Sequence, residues 1–199
     1  MIRAVVLDIG GVLEVIDESV FPGPFLRRHG LPPDALADVA LPGDPAVGGL
    51  TEDDLRTAWV AGLGLADAAG EELMADYWRW YRGTPDQTLL AWFAGQRPAR
   101  LTGILSNSSP GAREAERRWG FEDVTDVLVY SHEVGVAKPD PRAYAVTTEQ
   151  LGVEPGEVVF LDDVEGHVET ARAFGWHALR HEGTSASIAA VERLITEQA

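Results

Sequence analysis

The chain has no cysteine, only two methionines, half as many basic as acidic residues, and no long apolar run. Without cysteine there is no disulfide framework, no thiol nucleophile and no thiolate site for zinc or iron–sulfur clusters. At 199 residues it needs no such staples, because a chain of that length buries roughly 70% of its unfolded surface, as one domain with room for an insertion. Apolar residues never run to the about 18 that a membrane-crossing helix requires. The opening run, Ala4 to Leu7, is shorter than the roughly 7–15 apolar residues of an export signal. A cytoplasmic protein with no membrane partner is therefore expected. Sixteen lysines and arginines face 32 aspartates and glutamates, a formal net charge of −16. That field repels a phosphate backbone, so nucleic acid is not an expected partner.

What is present is a repeating design. Ala4 to Leu7 is a short apolar run that ends at Asp8 and meets Gly10-Gly11. Leu101 to Leu105 runs into Ser106-Asn107, Val127 to Tyr130 into Ser131, and Val158 to Leu161 into Asp162-Asp163. Helical patterns lie between or beside them: Asp86 to Gln96, Gly111 to Trp119, Pro141 to Leu151 and Val164 to Phe174. A fifth strand near Trp176 to Leu179 and a helix over Thr184 to Glu197 complete the series. Such alternation predicts an α/β fold: a Rossmann-like parallel sheet with helices on both faces and polar groups at the strands' carboxyl ends. The stretch from Glu14 to Arg82 differs. It carries no convincing strand and reads as helices around Phe25 to His29, Pro33 to Val39, Glu52 to Leu63 and Asp67 to Tyr81. Residues 1–13 and 83–199 are expected to form the core, and 14–82 an inserted helical cap over the first strand's end.

A carboxylate at the end of a buried strand needs a partner there. Asp8, Asp162 and Asp163 should reach the same sheet edge, and Lys138 is held near it by the prolines of Lys138-Pro139-Asp140-Pro141. Three acids and one ammonium leave two negative charges, which one divalent cation balances. A hard, oxygen-liking ion such as Mg2+ suits such a set. The plainer readings remain open for each piece: Asp162-Asp163 suits a helix cap, and Ser106-Asn107 suits either a cap or an anion site.

Together, Val5-Val6-Leu7-Asp8-Ile9-Gly10-Gly11-Val12-Leu13, the Ser106-Asn107 strand end, Lys138-Pro139-Asp140-Pro141 and Phe160-Leu161-Asp162-Asp163 resemble the four motifs of the haloacid dehalogenase-like hydrolase superfamily, in order and approximate spacing over about the whole chain. The resemblance implies a phosphatase-like member acting on a small phosphorylated metabolite. Asp8 would be the nucleophile that forms an aspartyl-phosphate. Magnesium would be bound by Asp8, the Gly10 carbonyl, and Asp162 or Asp163. Ser106, Asn107 and Lys138 would bind phosphate, with Lys138 also balancing Asp8.

Phosphatases of this superfamily usually carry a second aspartate two residues after the nucleophile, where this chain has Gly10. Losing a general acid slows a reaction by about 10²- to 10⁴-fold; Glu14, Asp17 or a residue of the inserted segment is expected to substitute. His167 stands where similar sequences often have asparagine, and is read as a supporting residue of its helix. In Tyr77-Trp78-Arg79-Trp80-Tyr81 successive positions point about 100° apart on a helix, so packing between cap and core is favoured over a substrate cage, with Arg27, Arg28, Arg79 or Arg82 able to meet an anion. A metal-free dehalogenase and a weakly active binding protein that keeps the fold are the rival readings. A monomer or homodimer is expected.

Overall fold

Ala4–Leu7 carries no polar side chain, so a strand made from it can be buried on both faces, and it forms β1 at the centre of the sheet. The chain continues through β2 (Glu14–Val15), α1 (Gly23–Arg28), α2 (Glu52–Gly62), α3 (Ala68–Tyr81) and β3 (Thr84–Pro85). It then alternates through α4 (Gln87–Ala94), β4 (Leu101–Ser106), α5 (Ala112–Glu116), β5 (Val127–Tyr130), α6 (Ser131–Val134), α7 (Pro141–Leu151), β6 (Val158–Asp162), α8 (Glu165–Phe174), β7 (His177–Arg180) and α9 (Thr184–Glu197). The structure, a computed structural model, describes residues 1–198. No helix among them is long and apolar enough to cross a membrane.

Five parallel strands run in the order β5-β4-β1-β6-β7. Leu7 pairs with Ile104 of β4 on one side and Leu161 of β6 on the other. This register sets the residues that follow β1 beside the ends of β4 and β6, at the crevice where strand order reverses and open α/β sheets bind ligands. Side chains alternate across the sheet. Val5 and Leu7 join Leu89, Phe93, Val191 and Ile195 from α4 and α9; Ala4 and Val6 join Tyr144, Leu151, Val168 and Ala171 from α7 and α8. Helix α7 shows how local chemistry fixes these layers. Asp140 accepts the Arg142 N–H at 2.9 Å, Pro141 occupies the first turn, and Gly152 at φ 65° ends the helix in the left-handed conformation.

Helices α1 to α3 gather a third cluster around Phe25, Leu26, Val60, Leu73, Met74 and Tyr77. Entry to and exit from this segment lie side by side, because Glu14 pairs with Pro85 and Val15 with Thr84 in an antiparallel ribbon. The segment is tied to the sheet by the Tyr77 hydroxyl, which hydrogen-bonds Ser109 Oγ at 2.8 Å.

Three expectations are corrected. Pro33 to Val39 is a series of turns, not a helix: hydrogen bonds alternate between Ala35 to Pro32, Asp38 to Asp34 and Val39 to Leu36. Pro32 and Pro33 supply no N–H at its start, and the bonds that form mix i to i−3 with i to i−4 spacing, so no helical ladder is completed. The ribbon strand Glu14–Val15 lies inside the stretch expected to lack strands, and two residues are too few to show a period. The helix expected over Gly111 to Trp119 is α-helical only to Glu116 and closes as a tighter 3₁₀ turn over Arg117–Trp119.

Phe160 is fully buried, with ring centroids 5.4 Å from Trp176 and 6.1 Å from Tyr144. Phe160→Ala is expected to lower unfolding free energy in urea by about 3–5 kcal/mol, whereas Val15→Ala, at a side chain in a residue 64% exposed, changes it by no more than about 0.5 kcal/mol.

Candidate active site

At the end of β1 the Asp8 carboxyl is fixed before any ligand is considered. Its Oδ1 accepts the Ile9 N–H at 2.8 Å and lies 2.9 Å from Lys138 Nζ. The same ammonium donates to Asp162 Oδ2 at 2.6 Å, so one lysine joins the ends of β1 and β6. Asp162 is fully engaged: Oδ1 accepts the Val164 N–H at 2.9 Å, and His167 Nδ1 lies 3.0 Å from Oδ1 and 3.1 Å from Oδ2. Lys138 also lies 5.5 Å from the centre of the Phe160 ring, inside cation–π range. Burial pushes the Asp8 carboxyl up to about 6 against the pull of Lys138, with Asp162 adding to the push. Burial opposes ionisation of Asp162 as well, but hydrogen bonds from His167 and Lys138 hold it below the ordinary carboxylate value. For Lys138 burial is outweighed by the two facing carboxylates, which hold its pKa above the usual lysine value.

Asp163 points elsewhere. Gly11, at φ 77°, has no side chain, and a Cβ there would lie 2.4 Å from Asp163 Oδ2; the Asp163 carboxylate thus rests on the loop after β1. It walls an open pocket of about 490 Å³ together with Asp8, Gly10, Ser106 and Asn107. Among the described residues, no protein hydrogen bond reaches the Gly10 carbonyl. Asp8, Gly10 and Asp163 wall one open space, and carboxylate and carbonyl oxygens are the donors that fit a hard divalent cation. Asp8, Asp162 and His167 also offer atoms within 4.8 Å of one another, but the Lys138 ammonium already touches both of those carboxylates.

Ser106, the last residue of β4, is buried at the pocket wall. The Asn107 amide does something sequence reasoning did not foresee: Nδ2 donates to the Lys138 carbonyl and Oδ1 accepts the Lys138 N–H, each at 2.8 Å. Its side chain secures the lysine's main chain, so any anion contact from Asn107 falls to its backbone.

Beside this pocket is a cavity of about 170 Å³ walled by Gly10, Glu14, Trp80, Tyr81, Ser106 and Glu116, among others. Of the two acids named as stand-ins near Gly10, Asp17 is exposed and held below the ordinary carboxylate value by Ser19. Glu14 is buried, and burial, reinforced by Glu116, pushes its pKa up to about 9. Glu116 was missed from sequence. It accepts from the Tyr130 hydroxyl, and burial raises its pKa to about 8, with Asp8 adding to the rise. Its signal was spacing: Glu116 stands four residues after buried Ala112, an acid on the inward face of a helix.

The aromatic run divides as its helical spacing demands. Tyr77 packs among the inserted helices, the Trp78 indole donates to Glu52 Oε1 at 2.6 Å, and Trp80 and Tyr81 wall the smaller cavity. Arg28 and Arg79 are paired with Asp76, and Arg82 Nε donates to the Trp78 carbonyl at 2.9 Å, while Arg82 is near enough to Glu14 to pull its pKa down against burial.

The family model for a haloacid dehalogenase-like hydrolase matches residues 34–175. A phosphatase of Mycobacterium tuberculosis is 33% identical over 190 residues, covering 89% of this chain and 86% of the relative. A predicted HAD-like family hydrolase from Porphyromonas gingivalis superimposes with a TM-score of 0.78 at 21% identity, covering 98% of each chain. A HAD family enzyme from Bacteroides thetaiotaomicron, solved in complex with magnesium and inorganic phosphate, gives 0.74 at 20% identity over 92% of this chain and 95% of that one.

Folded Glu14 keeps its proton up to about pH 9, while the ordinary value is 4.5. Between those values the folded state binds more protons than the unfolded state, so stability falls as pH rises. Thermal unfolding followed by circular dichroism is expected to show a falling midpoint from pH 5 to pH 9, and a shallower fall in Glu14→Gln. Parallel curves for the two proteins would contradict the buried, unpaired carboxyl.

Proposed function

Since this chain belongs to the haloacid dehalogenase-like hydrolases and is a hydrolase of their phosphatase-like kind, we propose that it cleaves small phosphomonoesters in a magnesium-dependent reaction with Asp8 as nucleophile. The observation that carries this reading is the placement of Lys138 between Asp8 and Asp162, with Asp163 left uncompensated over the same pocket. The ion would be held by Asp8, the Gly10 carbonyl and Asp163, and would supply positive charge that orients the phosphoryl group and offsets repulsion between two anions. The metal and phosphate in the Bacteroides thetaiotaomicron neighbour support the same reading.

In this scheme the free Asp8 oxygen attacks phosphorus, the P–O bond to the alcohol breaks with its electron pair leaving on oxygen, which takes a proton from solvent water, and an aspartyl-phosphate forms. Water then attacks phosphorus, gives up a proton to solvent, and releases phosphate and the Asp8 carboxylate. Lys138 keeps Asp8 ionised and faces the developing negative charge, while Ser106 and the backbone of Asn107 hold phosphoryl oxygens. His167 and the Asn107 amide are positioning residues, acting through Asp162 and through the Lys138 main chain. The helical segment over 14–82 serves as a cap above the pocket. The metal-free dehalogenase reading is disfavoured by Asp163, whose uncompensated charge would repel a haloacid carboxylate.

Purified protein is expected to release phosphate from 4-nitrophenyl phosphate with magnesium and not with a chelator. Asp8→Asn should lower that rate by at least about 10³-fold; activity near the wild-type level would refute the nucleophile assignment. Gly11→Ala places a methyl group where the Asp163 carboxylate rests and is expected to raise the magnesium concentration needed for half-maximal rate, with an unchanged requirement contradicting the metal assignment.

A further inference from the structure

Phosphoryl transfer sets the attacking and leaving oxygens roughly in line through phosphorus, so the alcohol oxygen released by Asp8 points away from Asp8. Asp8 walls the larger pocket and not the smaller cavity, while Gly10, Ile16, Ser106 and Asn107 wall both. The smaller cavity therefore lies beyond Gly10 and Ser106 as seen from Asp8. An alkoxide leaving in that direction needs a proton, and Gly10 has no side chain to supply one.

Three carboxyls wall the smaller cavity, those of Glu14, Glu18 and Glu116, and their surroundings separate them. Both Glu14 oxygens are shut off from the space by protein. Glu18 is exposed, as is Asp17 beside it, where burial cannot hold a proton on a carboxyl. Glu116 is 2% exposed. Its Oε2 accepts from the Tyr130 hydroxyl, whereas Oε1 receives no hydrogen bond among the described residues and, unlike the Glu14 oxygens, keeps accessible surface. The cavity that Glu116 walls is the space on which Oε1 opens.

The groups around this carboxyl decide its charge. Asp8 from β1, Glu14 from β2, Tyr77 and Tyr81 from α3 and Tyr130 from β5 face it. Arg113, on the same helix, is paired with Glu122 and Glu133. Burial, with Asp8 adding to it, pushes the Glu116 pKa up to about 8 against the pull of Tyr130 and Arg113. Since the Tyr130 hydroxyl donates to Oε2, the proton falls to Oε1, the oxygen on the cavity.

We propose that Glu116 is the general acid and base of the reaction, standing in from α5 for the acid that Gly10 cannot be. The proposal rests on the phosphatase reading above and adds a catalytic residue to it. As the P–O bond breaks and its electron pair stays on the alcohol oxygen, Glu116 Oε1 gives that oxygen its proton in place of solvent. The Glu116 carboxylate then takes a proton from the water that attacks the aspartyl-phosphate, which returns Glu116 to its starting form. Tyr130 is a positioning residue that fixes which oxygen carries the proton.

Benzyl phosphate and 4-nitrophenyl phosphate make the test. They are similar in size, but benzyl alkoxide is strongly basic and must be protonated as it leaves, whereas 4-nitrophenolate leaves as the anion. With saturating magnesium, Glu116→Gln is expected to lower kcat/KM for benzyl phosphate by about 10²-fold or more, and at least about tenfold more than for 4-nitrophenyl phosphate. In the wild type, kcat/KM for benzyl phosphate should fall as pH rises through about 8, a limb missing from the 4-nitrophenyl profile and from the variant. Equal losses on both esters, parallel wild-type profiles, or a wild type that turns over 4-nitrophenyl phosphate alone overturn the role of Glu116 and leave the phosphatase reading standing. Failure to turn over either ester, in folded protein, overturns both. If Glu116→Gln fails to fold, the two wild-type profiles decide.

Discussion

The ammonium of Lys138 lies 2.9 Å from Asp8 and 2.6 Å from Asp162, and the site around it is arranged to keep it there. Two buried carboxylates this close to one another cannot both stay ionised without a cation between them. The surrounding groups reinforce that position. Asn107 grips the lysine's main chain on both sides of the peptide unit, His167 and the Val164 N–H hold Asp162, and Phe160 lies beneath the ammonium. Because the contacts come from β1, β4, β6 and the loop before α7, the charge web also joins the crossover connections that build the sheet. Removing the lysine would leave Asp8 and Asp162 without their shared cation, and breaking a buried ion pair from one side typically costs about 3–5 kcal/mol.

One ammonium accounts for only part of the acidity. Asp162 is saturated with donors, Asp8 keeps one oxygen toward the pocket, and Asp163 lies over Gly11, its carboxylate in no salt bridge among the described residues while Arg180 Nε donates to its main-chain carbonyl at 3.2 Å. The site is thus divided into a lysine-neutralised side and an oxygen-rich side. The register of β1 against β4 and β6 produces this division, since neighbouring strand ends deliver Asp8, Ser106 and the Asp162-Asp163 pair to one edge. A second division separates ionised from protonated acids. Asp162 stays charged amid strong donors, whereas for Glu14 and Glu116 burial outweighs the pull of Arg82 and Arg113, and both hold their protons at neutral pH.

Much of this was legible in the amino-acid sequence because burial on both faces leaves an unmistakable mark. Runs such as Ala4 to Leu7 and Val158 to Leu161 contain nothing that could face water, and each ends on an acid. Strand ends in a parallel sheet converge, so the gathering of Asp8 and Asp162 followed from the alternation of elements, while Lys138 was expected there from the prolines of its loop. The choice between Asp162 and Asp163 did not: adjacent residues diverge in direction, and only the contact of Asp163 with Gly11 separates them. Asn107 was read as an anion ligand because its clasp on Lys138 depends on a loop 31 residues away folding back against it. Pro33 to Val39 misled because its composition favours a helix, whereas its main-chain hydrogen bonds close a series of short turns. Glu14–Val15 is held by its pairing to Thr84–Pro85, a long-range event with no local pattern.

Calorimetric titration of the apo protein with magnesium tests the division of charge most directly, since it reads the ion and not the chemistry. If Lys138 neutralises Asp162 and leaves Asp163 for the cation, Asp163→Asn weakens magnesium binding by about tenfold or more, while the wild-type chain takes up a single ion. Wild-type affinity in Asp163→Asn would contradict the account at its centre.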